Sequence, residues 1–328
     1  MISIVMPMRN AMPFLNECIT SIINQTFSDW ELIVINDHST DSSFDVLSDF
    51  AQQDPRITVI NATGKGIIDA LQQAYSKSTG DYITRMDADD IMPEQKLELM
   101  HNQLLKNPEA VVTGKIKYIG ENLRDGYKNY ETWMNTMMEN HTHYDFMYKE
   151  CVIPSPAWMT SRQTFEYIGG FSPNIYPEDY DLTLRFYKSK IEIIALNEVI
   201  HIWRDYQERT SRNDPNYSVN SFEAIKTKYF IEVDYDSSKT LVLWGAGKKG
   251  KKIAQHLLQA NIPFIFACNN SKKINKDIYG LIMQDIDSIF NSSDLYQTII
   301  AVANPEEQTE IKSRLDTDLT HVHPYWFC

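Results

Sequence analysis

Along the first hundred residues, short apolar runs alternate with stretches whose apolar positions recur at helical spacing. Ile2–Met6 is a short apolar run stopped by Pro7, the pattern of a buried strand. Phe14, Leu15, Cys18, Ile19, Ile22 and Ile23 then mark one face of a helix. Glu31–Ile35 is a second strand that runs into the polar turn Asn36-Asp37-His38-Ser39-Thr40-Asp41, and a helix bearing Phe44, Leu47, Phe50 and Ala51 follows. Ile57–Ile60 and a helix with Ile67, Ile68, Leu71 and Tyr75 repeat the unit. A fourth strand around Tyr82, Ile83 and Met86 ends on Asp87, Asp89 and Asp90, and a helical pattern opens at Pro93. Such alternation predicts a mostly parallel sheet flanked by helices. Ligands of such sheets bind beyond the carboxyl ends of the strands, where the turns after Met6, Ile35 and Met86 converge.

Beyond Ala110–Ile119, read as a strand, residues 121–150 are rich in Tyr, Met and His. They suit amphipathic helices packed on the sheet, and equally an aromatic lining for sugar rings. Ile191–Leu196 and Val199–Trp203 alternate around Asn197-Glu198 and predict a hairpin. A helix with Phe222, Ile225, Tyr229 and Phe230 leads to a linker at Asp234–Lys239. The strand Thr240–Trp244 then meets Gly245-Ala-Gly-Lys-Lys-Gly250, a phosphate-binding turn pattern in its strand–turn–helix setting. A dinucleotide site wants an acid after the next strand for the ribose, and Cys268-Asn269-Asn270 stands there instead. Lys272, Lys273 and Lys276 would at most meet an extra phosphate. The expected division is residues 1–235 and a small Rossmann-like α/β domain at 236–328.

Composition narrows the classes. A 328-residue chain, 43% hydrophobic, has ample apolar material for two cores. A net charge of −13 counts against nucleic acid and anionic lipid as non-specific partners. Four scattered cysteines without a CxxC pair fit reduced thiols rather than disulfides or zinc. Without a basic leader or a long apolar run, the expectation is a cytoplasmic protein, with peripheral docking at the inner face of the cell membrane still compatible.

The chemistry concentrates at strand ends. Three acids crowded after Met86 repel one another, and a hard divalent cation shared with substrate phosphates relieves that repulsion. A solvated acidic turn with Asp90 as an N-cap is the simpler alternative. Asp37 can accept a hydrogen bond from a base imide N–H, or merely form a turn. Asn10 can position a nucleotide or cap the next helix. Arg204, Arg209 and Arg212 can pair with phosphate. Glu178 and Asp179 open a helix, where acids also suit the dipole.

Met6-Pro7-Met8-Arg9-Asn10, Ile19–Thr26, Asn36–Asp41 and Met86-Asp87-Ala88-Asp89-Asp90 together resemble the family 2 (GT-A fold) glycosyltransferases over most of the N-terminal domain. The resemblance implies transfer of a sugar from a UDP- or other nucleotide-diphosphate donor to a hydroxyl of a glycan or lipid-linked acceptor, by an inverting single displacement. It implies Mn²⁺ or Mg²⁺ at Asp89 and Asp87, and donor contacts from Pro7, Asn10, Asp37, Asp87, Arg204 and Arg209. It makes Asp179 the general base, with Glu178 as the alternative. Asn36 stands where the family usually has Asp, and Leu71 where some members carry Arg. The third metal ligand stays open: many relatives have a His near Tyr206, and His201 lies on the preceding strand. The competing readings are a catalytically silent nucleotide-sugar or glycan-binding module and a sugar nucleotidyltransferase. The second usually carries a Gly-rich loop where Pro7-Met8-Arg9-Asn10 stands.

Overall fold

A computed structural model describes residues 1–121, 123–207, 209, 222–290, 295–319 and 321–328. The chain forms two compact units, one of residues 1–145 and 151–218, the other of 146–150 and 219–328.

The first unit is built on a seven-stranded sheet of β1 (Ile2–Met8), β2 (Trp30–Asn36), β3 (Ile57–Asn61), β4 (Tyr82–Arg85), β5 (Val111–Ile119), β6 (Trp158–Ser161) and β7 (Ile193–Arg204), in the order β3-β2-β1-β4-β6-β5-β7. Only β6 runs against its neighbours, so the sheet is mostly parallel as its pattern predicts. β1 lies inside the sheet between β2 and β4, and Ile2, Ile4, Val5 and Met6 are fully buried, because helices cover both faces. Crossover helices α1 (Leu15–Ile23), α2 (Ser43–Gln53), α3 (Ile67–Lys77) and α4 (Lys96–Lys106) send β1, β2, β3 and β4 out with their carboxyl ends on one edge.

The expected hairpin around Asn197-Glu198 does not form. β7 is one strand paired in parallel with β5, and its register jumps between Gly114↔Leu196 and Lys115↔Val199. Both halves meet the same partner in the same direction, so the polar pair is accommodated as a bulge and not as a turn. The outer half of β5 lies beyond the short β6. There the helix α5 (Asp125–Asn140) supplies bonding groups: the Asn135 side chain exchanges hydrogen bonds with the Ile116 N–H and carbonyl, both 2.9 Å, and Met134, Met137 and Met138 are buried. This part of the aromatic and Met-rich segment therefore packs on the sheet.

The second unit has a parallel sheet of β8 (Thr240–Trp244), β9 (Ile265–Cys268), β10 (Gln284–Asp285), β11 (Tyr296–Ile300) and β12 (Val322–Trp326), ordered β10-β9-β8-β11-β12. This is a doubly wound arrangement. The helix Phe222–Val233 groups with this unit. Phe230 meets Tyr325, Phe327 and Tyr148 edge-on, and Tyr148 stacks on Phe327, so helix and sheet share one aromatic cluster. Among the described residues, no helix is long and apolar enough to cross a membrane.

The glycine turn of this unit has a packing cause. Gly245 sits at φ +131°, where side chains are strained, and a Cβ on Gly250 would lie 1.9 Å from the Gly245 carbonyl oxygen. Those glycines let the following helix pack onto β8. Lys273 donates to the Ala246 carbonyl of the same turn (2.9 Å), and Asn269 accepts from Trp244 Nε1 (2.8 Å). Gly250→Ala is expected to destabilise this unit by about 2 kcal/mol or more, since the obstacle is backbone that cannot step aside. Thermal unfolding of the full chain followed by tryptophan fluorescence checks it, and an unchanged midpoint contradicts it.

Candidate active site

The carboxyl ends of β1, β2 and β4 open onto a cavity of about 450 Å³. Its walls include Pro7, Asn10, Asp37, Asp87, Asp89 and Arg209, so six of the residues expected from the sequence meet in one place. Lys65, Gly66, Arg85, Asn174, Tyr176 and Tyr206 complete much of the remainder.

The floor is stitched by side chains that bond to neighbouring loops. Asn10 lies at φ 51°, a left-handed conformation that Asn tolerates. Its Oδ1 accepts from the Thr40 N–H (2.7 Å), and its own N–H donates to Ser39 Oγ (3.0 Å). The turns after β1 and β2 are thereby locked together. Asn36, where the resembled family usually has Asp, ties β2 to β3 through Asn61 (2.8 Å). An amide both donates there and accepts from Ser39 N–H, which a carboxylate could not do. Asp37 is nearly buried. Its Oδ2 accepts from Gly66 N–H (3.0 Å), while the buried Oδ1 has no partner among the described residues.

The acids after β4 occupy three different environments. Asp87 Oδ1 accepts from Arg85 Nε (2.9 Å). Asp89 Oδ2 accepts from the Tyr206 hydroxyl (2.8 Å), and burial, reinforced by Asp90 and Asp87, pushes its carboxyl up to about 6. Asp90 is fully buried against His201 Nε2 (2.9 Å) and the Arg204 N–H (2.9 Å). It therefore pins β7 to the end of β4 and caps no helix. Burial keeps the His201 imidazole neutral, well below its usual range, and His201, fully buried, is absent from the cavity wall.

Three of the residues expected at the site, Arg204, Glu178 and Asp179, stand outside this cavity wall. Arg204 is absent from the cavity wall. Its Nε donates to the Asp89 carbonyl (3.1 Å), Nη2 pairs with Glu17, and the guanidinium lies 4.6 Å over the Phe14 ring. It braces the acidic turn from behind because a strand-end side chain points to whichever face its pleat dictates. Glu178 and Asp179 likewise do not line the cavity. They open the helix α7 (Glu178–Lys188), and Glu178 reaches the wall only through Arg85, whose Nη1 donates to Glu178 Oε1 (2.9 Å). Asp179 is half-buried and pushed up to about 7 by burial and by Glu178, with Arg85 opposing. Arg209 lines the cavity in the field of Asp90 and Asp89, and Arg212 lies outside the described residues. Arg85, Lys65, Asn174 and Tyr176 had no role assigned from the sequence. Arg85 alone carried a readable signal, as a cation at a strand end directly before three acids.

Among the described residues, no three His, Cys, Asp or Glu side chains gather as a complete metal site. Asp87 and Asp89 nevertheless fit a hard cation that draws its other oxygens from a diphosphate and water. The crowding that pushes Asp89 towards a proton is the condition a cation relieves.

Residues 3–169 match the family model described as Glycosyl transferase family 2. The chain is 28% identical over 215 residues to glycosyltransferase GlyG of Streptococcus pneumoniae serotype 4, covering 62% of this chain and 70% of that protein. It is 30% identical over 237 residues to the Escherichia coli UDP-Glc:α-D-GlcNAc-diphosphoundecaprenol β-1,3-glucosyltransferase WfgD, covering 72% of this chain and 86% of WfgD. Matches to three further relatives span 31%, 48% and 45% of their length. The mannosyltransferase PcManGT of Pyrobaculum calidifontis, solved with GDP-Man and Mn²⁺, shares the fold at TM-score 0.55 and 17% identity, over 78% of this chain and 69% of that one. With a family match across half its length and a WfgD alignment spanning most of both proteins, the chain belongs to glycosyl transferase family 2.

Proposed function

We propose that this chain transfers a sugar from a nucleoside-diphosphate donor to a hydroxyl of a lipid-linked or polymeric glycan, with inversion at the anomeric carbon. The observation that carries the proposal is the single cavity shared by Asp37, Asp87 and Asp89. The Asp37 carboxylate in its wall suits a base imide N–H such as that of uracil, and WfgD, whose name gives a UDP-Glc donor, is a relative at 30% identity.

In this reading Asp37 holds the base, and Pro7 and Asn10 shape the floor beneath the nucleoside. Asp87 and Asp89 would hold the divalent cation, which when bound supplies positive charge at the leaving diphosphate. Arg209 adds a cation on the same wall. Asp179 takes the proton of the acceptor hydroxyl as that oxygen bonds to the anomeric carbon and the bond to the diphosphate oxygen breaks. A carboxyl near 7 suits a base working at neutral pH.

Incubation with UDP- and GDP-sugars, manganese ions and an undecaprenyl-diphosphate-linked GlcNAc tests the proposal by nucleotide release. Pyrophosphate from a nucleoside triphosphate would instead favour a nucleotidyltransferase. Asp89→Asn is expected to weaken manganese-dependent UDP binding about tenfold or more in calorimetry, since a cation ligand is lost. Binding that is equally tight in the variant contradicts the assignment. The base must be ionised, so kcat is expected to rise roughly tenfold per pH unit up to about pH 7 and then level off. A rate that is flat on both sides of about pH 7 removes Asp179 from that role.

A further inference from the structure

Arg85 is a buried arginine, 4% exposed, at the last position of β4. Its guanidinium spans two acids: Nε meets Asp87 Oδ1 and Nη1 meets Glu178 Oε1, both at 2.9 Å. The first acid lies just past the end of the same strand, and the second is the first residue of α7. A single planar group therefore ties the floor of the donor cavity to the start of the helix that carries Asp179.

Glu178 is placed to anchor and not to accept a proton. One of its oxygens is taken by the guanidinium, and the other is enclosed without a partner among the described residues. The first turn of α7 has no side-chain cap at Pro177, so nothing in the capping position fixes how the helix is rotated. Within that turn Asp179 is held locally, its Oδ1 accepting from the Tyr180 N–H (2.8 Å) and its carbonyl accepting from Thr183 Oγ1 (2.9 Å). These bonds fix Asp179 relative to the helix. The Arg85–Glu178 pair fixes the helix relative to β4.

We propose that Arg85 and Glu178 form a strut that positions Asp179, holding the base helix in register with the acid that faces the donor. The proposal rests on the reading of Asp179 as general base. Both strut residues are positioning residues. Lysine cannot replace Arg85, because an ammonium is a point donor without the flat fork needed to span two carboxylates. Glutamine can largely replace Glu178, because its amide oxygen still accepts from Nη1.

The test measures kcat and donor KM for the panel sugar nucleotide that releases nucleotide fastest, using the full chain with manganese ions. UDP binding and unfolding midpoints serve as controls for folding. Glu178→Gln is expected to keep kcat within about tenfold of the parent, while Asp179→Asn loses about 10³-fold. Glu178→Ala and Arg85→Lys are each expected to lower kcat about 10²-fold, with donor KM for Glu178→Ala changed less than about threefold. The Arg85→Lys/Glu178→Ala double variant should lose no more than the worse single one, because the two act as a unit. Should Glu178→Ala fail to fold, Glu178→Gln and Arg85→Lys still decide the matter. Glu178→Gln as inactive as Asp179→Asn overturns the strut and makes Glu178 the proton acceptor. Losses that multiply in the double variant overturn it as well. Full activity in Asp179→Asn removes the base assignment itself, and the strut with it.

Discussion

The arrangement of the first unit depends on keeping Asp87, Asp89 and Asp90 together at the end of β4. Two like charges about 4 Å apart in a protein-like dielectric repel by roughly 4 kcal/mol, so each acid needs its own compensation. Arg85 compensates Asp87, and the Tyr206 hydroxyl serves Asp89. Asp90 is enclosed by His201 and the Arg204 N–H. Each compensating group comes from a different place in the sheet, and together they determine where β7 and α7 must lie. Burial, with Asp90 and Asp87 beside it, still pushes the Asp89 carboxyl up to about 6, and Asp89 stands in the cavity wall.

Much of this was legible in the sequence, for physical reasons. Apolar runs ending in polar turns identify the parallel strands. Acids at such ends lie where ligands bind, so Asp37, Asp87 and Asp89 could be placed before any coordinates. What was not legible depended on pairing between distant segments. Asn197-Glu198 has the composition of a turn, and only the continuous partner strand β5 makes it a bulge. Arg204 is a cation near an expected phosphate, and only the pleat shows that it faces Phe14 and Glu17. Arg85 reads as the last residue of a strand, and its partner Glu178 lies far away in the chain.

The second unit shows how a motif can be present for more than one physical reason. Its glycine pattern has the strand–turn–helix setting of a phosphate site, yet Gly245 and Gly250 are required by close backbone approach alone. Lys273 already bonds to the Ala246 carbonyl of that turn, and the strand after it ends on asparagines in place of a ribose-binding acid. The glycines therefore establish the local fold without establishing a ligand.

The central claim is that one cavity gathers the base, the diphosphate and the cation around Asp37, Asp87 and Asp89. A crystal structure of the full chain with UDP and manganese ions tests it most directly. Bound UDP should place its uracil imide on the Asp37 carboxylate and the cation between the diphosphate and Asp89. A nucleotide seated elsewhere, or a cation bound without either aspartate of that pair, would contradict it.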